Sequence, residues 1–590
     1  MTDEVSEVKE DLFAQQLGGA IARISNYDGS TTLLEKSISL LLSELEKGNT
    51  FLDMNLFYSK SGQTSVVSWK KSLIDNGFAG IAPAFSPLII EQDTLYLGRY
   101  YHYHHQLQQQ LSHLANAEVD SMDETLISHS LNKFFPGEDK VISPNWQKIA
   151  ASVVLKKRFS VISGGPGTGK TTTVLRLLAT LCEVSGQNLQ IQLAAPTGKA
   201  AMRMQESIRS NIPDLEKLGC SPTILKQLDV QACTIHRLLG YKQNSINFRH
   251  NTHYPLSLDV LVVDESSMID SAMMAKLLAA VPDKARVILL GDKDQLAAVE
   301  PGNPFTQMCN QFGFSPDFAN ELFDLEQDNL SGIKVDEFIS QKPKLLADNI
   351  VFLHHSYRFG SDSGIGQLAK VINHGDYKQA LQLMKSPQYS DISWHEYQAA
   401  DFRHYQAIVI DPLIERVKIG FSAYTQAVNN KMDLDAIFKA YNSFCILTAV
   451  RRGYSGVEDI NYLVQNALKF KSSNESIWYH GRAVMVTQNN YQTGLFNGDV
   501  GICLAQEDNR LRVYFPTSEG YRDFIPSRVP HHETAFAITV HKSQGSEFEE
   551  VLFMLPDTNS RLLDKSLAYT AITRAKNKVE IWGNKEALDL

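Results

Sequence analysis

The sequence predicts an α/β protein with two separate parallel sheets, a mainly helical N-terminal domain ahead of them, and a small β-rich insertion within the second. Three observations predict it. Between about Ser143 and Pro301 the runs FSVIS, IQLAA, DVLVV and RVILL are continuously apolar, with helical or Gly-rich segments between them. Strands that are apolar on both faces and alternate with helices belong to a parallel sheet covered on both sides. From Ile350 onward a second series repeats the pattern: AIVI, FCILTAV, AVMVT, FAITV, EVLFM and KVEIW. Inside it, Asn497-Gly498 is a hairpin-type turn signal, and VGICLAQ–EDN–RLRVYF reads as two strands around a tight connection. An antiparallel module near residues 490–530 follows.

At 590 residues the chain is too long for one core, and its texture divides it into residues 1–131, 132–349 and 350–590. In the first zone LLEKSISLLLSELEKG carries Leu34, Ile38, Leu41 and Leu45 at helical spacing. FLDMNLFY and TLYLGRYYHYHHQLQQQL read as a short strand and then a helix. His102, His104 and His105 lack other ligand-type residues at matching positions, so they read as a His/Tyr face rather than a metal site. The segment from Gly302 to about Asn349 is polar and helical. No low-complexity linker separates the zones, so they are expected to pack on one another.

Composition removes several classes. No long uncharged apolar run is present, so no membrane partner is expected. The N-terminus, MTDEVSEVKEDLF, is acidic where a secretory signal is basic and then apolar. Six scattered cysteines without a C-x-x-C pair argue against a zinc ribbon, an iron–sulfur cluster or a disulfide scaffold, and suit reduced thiols in a cytoplasmic protein. A net charge of −10 excludes binding to nucleic acid by bulk attraction; any such contact needs a local groove.

The sharpest motif is Gly164-Gly165-Pro166-Gly167-Thr168-Gly169-Lys170-Thr171, followed by Thr172. Glycines let the backbone N–H groups turn toward phosphate oxygens, and the helix starting near Lys170 adds its positive end. Lys170 suits the β/γ-phosphates of ATP, and the Thr171 hydroxyl suits Mg²⁺. Strand LDVLVV ends at Asp264-Glu265, where Asp264 can hold the Mg²⁺ shell and Glu265 can orient or deprotonate the attacking water. Gln295, after the next strand, can contact the γ-phosphate or the water, and Gln147 in NWQKIA can read adenine or simply face solvent.

A P-loop alone does not distinguish kinase, switch and motor. Arg358 in LHHSYRFG and Arg574 in LAYTAITRAKNKV lie far from it in sequence. If both sit on the second sheet, the site is completed only when two domains close, and closure then reports ATP.

GGPGTGKTTT, APTGKAAMRM, TIHRLLG, LVVDESSMID, GDKDQLAAVEPG, SYRF, NGDVG, FAITVHKSQGSEF and YTAITRAK stand in the order of superfamily 1 helicase motifs. The chain resembles the RecD family, the alpha subunits of bacterial exonuclease V (RecBCD), over nearly its whole length. SLLLSELEKGNTFLDM and PLIIEQDTLYLGRYYHYHHQLQQQL are similar to that family's N-terminal domain. The resemblance implies two RecA-like domains and an SH3-like insertion. It implies that Arg358 and Arg574 contact the γ-phosphate, and that Gly545 and Glu547 couple nucleotide to DNA. Pro196, Thr197, Thr234, His236, Thr539, His541 and Lys542 fall in motifs used against single-stranded DNA. It further implies a 5′→3′ DNA helicase acting on duplex ends for recombinational repair, in a heterotrimer with RecB- and RecC-like subunits, its first domain docking on the latter. No helix-hairpin-helix pattern precedes Asn145, and the chain ends at Leu590 close behind Arg574, so no nuclease domain of its own is expected. A regulatory ATP switch subunit and a stand-alone repair helicase are the alternatives.

Overall fold

The computed structural model describes residues 2–120, 122–136, 144–242, 245–298, 300–324, 335–360, 362–397, 406–468, 470, 477–490, 492–517, 520–556 and 563–588. In the N-terminal domain β1 (Leu52–Asp53), β2 (Ala79–Ile81), β3 (Leu88–Glu91) and β4 (Thr94–Leu97) form one small sheet in the order β1-β4-β3-β2. Helix Thr32–Glu46 buries Leu34, Ile38, Leu41 and Leu45, the stripe its periodicity marks. The indole of Trp69 donates to Ser37 Oγ at 2.9 Å, so the largest side chain of this core has its polar atom satisfied. Along helix Gly98–Asn116 the ring of His105 stacks on Tyr101 at 5.5 Å, His102 lies 5.3 Å from Phe85, and His104 lies 6.0 Å from Tyr96. The three imidazoles thus rest on aromatic neighbours. Farther along, Leu107, Leu111 and Leu114 enter the core beneath the first parallel sheet and tie the two domains together.

That sheet contains β5 (Phe159–Gly164), β6 (Ile191–Ala195), β7 (Ala232–Thr234), β8 (Val260–Val263), β9 (Arg286–Gly291) and β10 (Ile350–Leu353). Its order is β10-β5-β9-β8-β6-β7, parallel throughout. Strands β5, β8 and β9 are buried along their whole length, which is why they read as unbroken apolar runs. Strand β10 corrects the expected division at residues 349 and 350: Ile350 lies opposite Val161 of β5, so the first sheet extends to Leu353. An apolar run marks a buried strand but does not say which sheet receives it.

The second parallel sheet takes β11 (Ile392–Glu396) and β12 (Phe444–Thr448) before the chain leaves it. There follow β13 (Arg482–Val486), β14 (Val500–Ala505), β15 (Leu511–Thr517), β16 (Gly520–Phe524) and β17 (His532–Thr534), an antiparallel sheet in the order β16-β15-β14-β13-β17. The chain then returns as β18 (Ala537–Thr539), β19 (Phe548–Met554) and β20 (Ala575–Gly583), giving β11-β20-β19-β12-β18, all parallel. The inserted module is wider than the expected 490–530, because AVMVT forms β13 within it rather than a strand of the parallel sheet. It has its own core of Val484, Val486, Leu495, Cys503, Val513, Phe515, Phe524 and Val529. AIVI is no strand either: Gln406–Ile410 is helical and runs into helix Asp411–Gly420, where Pro412 occupies a first-turn position that needs no backbone N–H.

The return from the insertion is short. Only Ala535 and Phe536 separate β17 from β18. The buried Asn461 amide clamps this link, donating to Thr534 O at 2.9 Å and Ala537 O at 2.8 Å and accepting from the N–H groups of Phe536 and Ala537.

Candidate active site between the two sheets

The loop after β5 is shaped by its glycines. Gly167 has φ +77°, and a Cβ there would stand 2.3 Å from Arg358 Cβ, so only glycine lets the arginine segment approach. That segment follows β10 of the first sheet rather than a strand of the second, so of the two arginines only Arg574 comes from the second sheet. Ser356 Oγ donates to Pro166 O at 3.1 Å and Tyr357 N to Gly167 O at 2.8 Å, stitching SYR directly onto the loop. Gly169 caps helix Lys170–Ser185, whose first turn carries Lys170, Thr171 and Thr172. Lys170 Nζ donates to Gly164 O at 2.6 Å and Gly165 O at 3.2 Å; the Thr168 hydroxyl donates to Gly165 O at 2.9 Å. Gln147, in the first turn of helix Trp146–Lys156, donates from Nε2 to Thr168 O at 3.3 Å, so it braces the loop itself.

Strand β8 delivers Asp264, whose Oδ1 accepts from Glu265 N at 2.8 Å. Glu265 holds a left-handed backbone at φ +51°, uncommon for a residue with a side chain. Burial, and then the neighbouring Glu265, push the Asp264 pKa above the usual carboxylate range. Strand β9 delivers Asp292, which burial likewise pushes up. It accepts from Gln295 Nε2 at 3.0 Å and from the Tyr569 hydroxyl at 3.1 Å.

Both distant arginines reach this gap. Arg574 is 3% exposed and donates from Nη2 to Gln295 Oε1 at 2.8 Å, from Nη1 to Ser546 O and from Nε to Thr570 O. Burial lowers its pKa, and Glu265 and Glu547 pull it back up. Arg358 donates from Nη2 to Glu547 Oε2 at 2.8 Å, and its buried Nη1 has no partner among the described residues. Arg203 meets the same Glu547 oxygen at 3.0 Å. Burial works to raise the Glu547 pKa, but Arg203, Arg358 and Arg574 together hold it at about 2. Two further bonds close the gap: Leu296 N donates to Thr570 Oγ1 at 2.8 Å, and Gln544 Nε2 to Leu296 O at 2.7 Å.

The expected DNA-side residues fall in two groups. In the first sheet Ala195 and Thr234 are register partners, so Pro196, Thr197, Thr234 and His236 share one edge. Thr197 and Thr234 also cap helices, accepting from Ala200 N and Arg237 N. In the second sheet Thr539 ends β18, and His541 and Lys542 form the next short turn. Lys542 Nζ donates to Asn497 Oδ1 at 2.9 Å. Phe496, beside that asparagine, lies 3.8 Å from where a Gly198 Cβ would stand, so the NGDVG turn brings the two groups toward each other. Gly545, at φ +68°, packs against Ala200.

Sequence reasoning missed Arg203, Asp292, Gln544, Tyr569 and Thr570. Asp292 lies within GDKDQ, and Tyr569 and Thr570 precede Arg574 on helix Lys565–Thr573 by about one turn, so both motifs already contained the signal. Arg203 could be read as a second-turn residue of the helix that Thr197 caps.

Two family models match: an AAA domain over residues 147–301 and a UvrD-like helicase C-terminal domain over residues 534–581. The first covers the P-loop side of the cleft and the second the Arg574 side. A P-loop ATPase of the helicase class is the protein that this fold and cleft define.

The relatives narrow it. RecBCD enzyme subunit RecD of Haemophilus influenzae is 33% identical over 93% of this chain and 90% of its own. The same subunit of Mycolicibacterium smegmatis is 32% identical over 93% and 89%. The ATP-dependent RecD2 DNA helicase of Deinococcus radiodurans is 29% identical over 73% of this chain but 47% of its own. The chain belongs to the RecD family.

Proposed function

We propose that the chain is the RecD motor of a RecB–RecC–RecD assembly in the cytoplasm, and that it uses ATP to move 5′→3′ along single-stranded DNA from duplex ends. The 2.8 Å contact from Arg574 to Gln295 carries this reading, because it places a second-sheet guanidinium in the first sheet's ATP cleft. The relatives named as RecBCD subunits match along nearly their full length, which favours a complex subunit over a stand-alone enzyme. The N-terminal domain exposes the apolar side chains of Leu56, Val67, Ile81 and Phe85, which are available for docking.

Lys170 and the loop N–H groups bind the phosphates, and Gln147 holds the loop in shape. Glu265 takes a proton from the attacking water. Arg574, Gln295 and the free Nη1 of Arg358 meet the charge that develops on the γ-phosphate. Asp264 and Thr171 fit Mg²⁺: a buried carboxylate beside another carboxylate is stabilised by a divalent cation. That ion, when bound, neutralises charge on the β- and γ-oxygens. Glu547 then links nucleotide to DNA: it touches Arg358 on one side and, on the other, Arg203 of the helix that Thr197 opens. Pro196, Thr197, Thr234, His236, Thr539, His541 and Lys542 grip the strand through its phosphates, without reading bases.

The test is an unwinding assay on duplexes with 5′ or 3′ single-stranded tails, with ATPase measured in parallel. A DNA-stimulated ATPase that unwinds only the 5′-tailed duplex is expected. Glu265→Gln should bind ATP and stall. An ATPase indifferent to DNA would overturn the motor reading.

A further inference from the structure

Helix Gly198–Lys217 meets the second domain at more than the Arg203–Glu547 contact. Its first turn is docked there on two sides. A Cβ on Gly198 would stand 3.8 Å from the Phe496 ring, and one on Gly545 would stand 3.5 Å from Ala200 Cβ. Lys199 lies between these two contacts, half-buried in the seam and one helical turn ahead of Arg203. Beyond its own helix, the groups close enough to act on it are the Cys445 thiol of β12 and the Asp499 carboxylate, both from the second domain. Burial pushes that thiol far up and keeps it neutral, so the countercharge is Asp499.

Asp499 is built into the turn that leads into β14. Its Oδ2 accepts from Phe496 N at 2.7 Å, its N–H donates to Phe496 O at 3.0 Å, and its carbonyl accepts from Val486 N at 2.9 Å. The same turn offers Asn497 Oδ1 to Lys542. Burial, and then Arg203, pull the Lys199 ammonium down to about 8, and burial pushes the Asp499 carboxyl up to about 6. Each group opposes the shift of the other, and between those two values both carry charge. Opposite charges withdrawn from water attract one another more strongly than solvated ones. Neither residue has a part in the reaction or the strand contacts described above.

We propose that Lys199 is a positioning residue: through Asp499 it holds the Phe496–Asp499 turn against the first sheet's helix, and so sets the spacing between the two halves of the strand grip, Thr197 on one side and Lys542 on the other. The proposal rests on the motor reading above and adds a second link to it. One helix then carries two cations a turn apart. Arg203 meets the nucleotide cleft through Glu547, and Lys199 holds the grip through Asp499. Because both stand on one rigid element, a shift of the helix at the cleft moves the turn and Lys542 with it.

The test uses the full-length chain with oligothymidylate as the single-stranded probe. Lys199→Met removes the charge and keeps the length of the side chain; Asp499→Asn keeps an oxygen for Phe496 N. Each should raise the DNA concentration that half-saturates the ATPase about tenfold, an ordinary coupling between two sites, and leave the rate at saturating DNA unchanged. The double variant should be no worse than either single one, and Lys199→Arg, which keeps the charge, should stay close to the parent. The slope of log affinity against log salt should not change, because no phosphate contact is removed. Unchanged or tighter DNA binding by Asp499→Asn would overturn the proposal, since Lys199 would then meet phosphate directly. Additive losses in the double variant, or a fall in the saturated rate alone, would overturn it too. A parent ATPase indifferent to DNA would remove the motor reading together with this link.

Discussion

Arg574 and Gln295, carried by different sheets, share a hydrogen bond of 2.8 Å in a fully buried setting. Gln295 also donates to Asp292, so the guanidinium, the amide and the carboxylate form one chain of polar contacts across the cleft. Three bonds from Arg574 fix its guanidinium, which is what electrostatic stabilisation of a transition state requires.

Arg574→Ala should therefore bind ATP with little change but hydrolyse it about 10³-fold more slowly. Gln295→Ala should lose less, and the double variant should be no worse than Arg574→Ala. Single-turnover ATPase of the four chains measures the coupling; additive losses would show that the two residues act separately.

Lys170→Gln should keep the native circular dichroism spectrum and reduce DNA-stimulated turnover by about a hundredfold or more. Normal turnover in this variant would move the phosphate site elsewhere.

Because Asp264 titrates above the usual carboxylate range, metal-dependent ATP binding should weaken as pH falls through that raised value, while metal-free binding stays flat. Glu265→Gln removes one of the two causes of the shift, so its acid limb should move to lower pH. Fluorescent-nucleotide titrations from mildly acidic to neutral pH, with and without Mg²⁺, give both limbs.

Glu547 behaves in the opposite sense. Its pKa is held at about 2, so the stabilisation from its arginine partners is complete above the ordinary carboxylate pKa and is lost only as pH falls toward 2. Glu547→Gln should cost about 2 kcal/mol at pH 7, discounted for partial exposure, and lose DNA stimulation of the ATPase. Urea unfolding should show the same difference between parent and variant at pH 7 and pH 6, and a smaller one at pH 3.

Lys542→Ala should weaken single-stranded DNA binding and lower the slope of log affinity against log salt by about 0.7, the share of one phosphate contact. Basal ATPase should be unaffected. An unchanged slope would assign Lys542 to holding Asn497 alone.

Much of this was legible in the chain. The loop at Lys170, the acidic pair at Asp264 and Arg574 sit in motifs whose chemistry dictates residue type and spacing, whereas Arg358 follows β10 of the first sheet instead of the second. What stayed hidden depended on long-range partners. Arg203 is an ordinary helix residue until it meets Glu547, which also holds Arg358 from another segment. AVMVT was recognisable as a strand and sequence reasoning missed IVFL, which forms β10, but in both cases hydrophobic pattern is indifferent to which sheet offers the open edge. AIVI failed for a different reason: four apolar residues fit one helical turn as well as one strand, and Pro412 tipped the balance.

The two-residue link at Ala535 and Phe536 makes the inserted module a lever rather than an ornament. Pinned by Asn461, it has no slack, so a duplex or a neighbouring subunit pressing on the module would tug β18 and, through it, Thr539, His541 and Lys542. On the reading that Thr539, His541 and Lys542 hold the strand, a longer, Gly-rich splice at this point should leave that hold intact and uncouple it from the module.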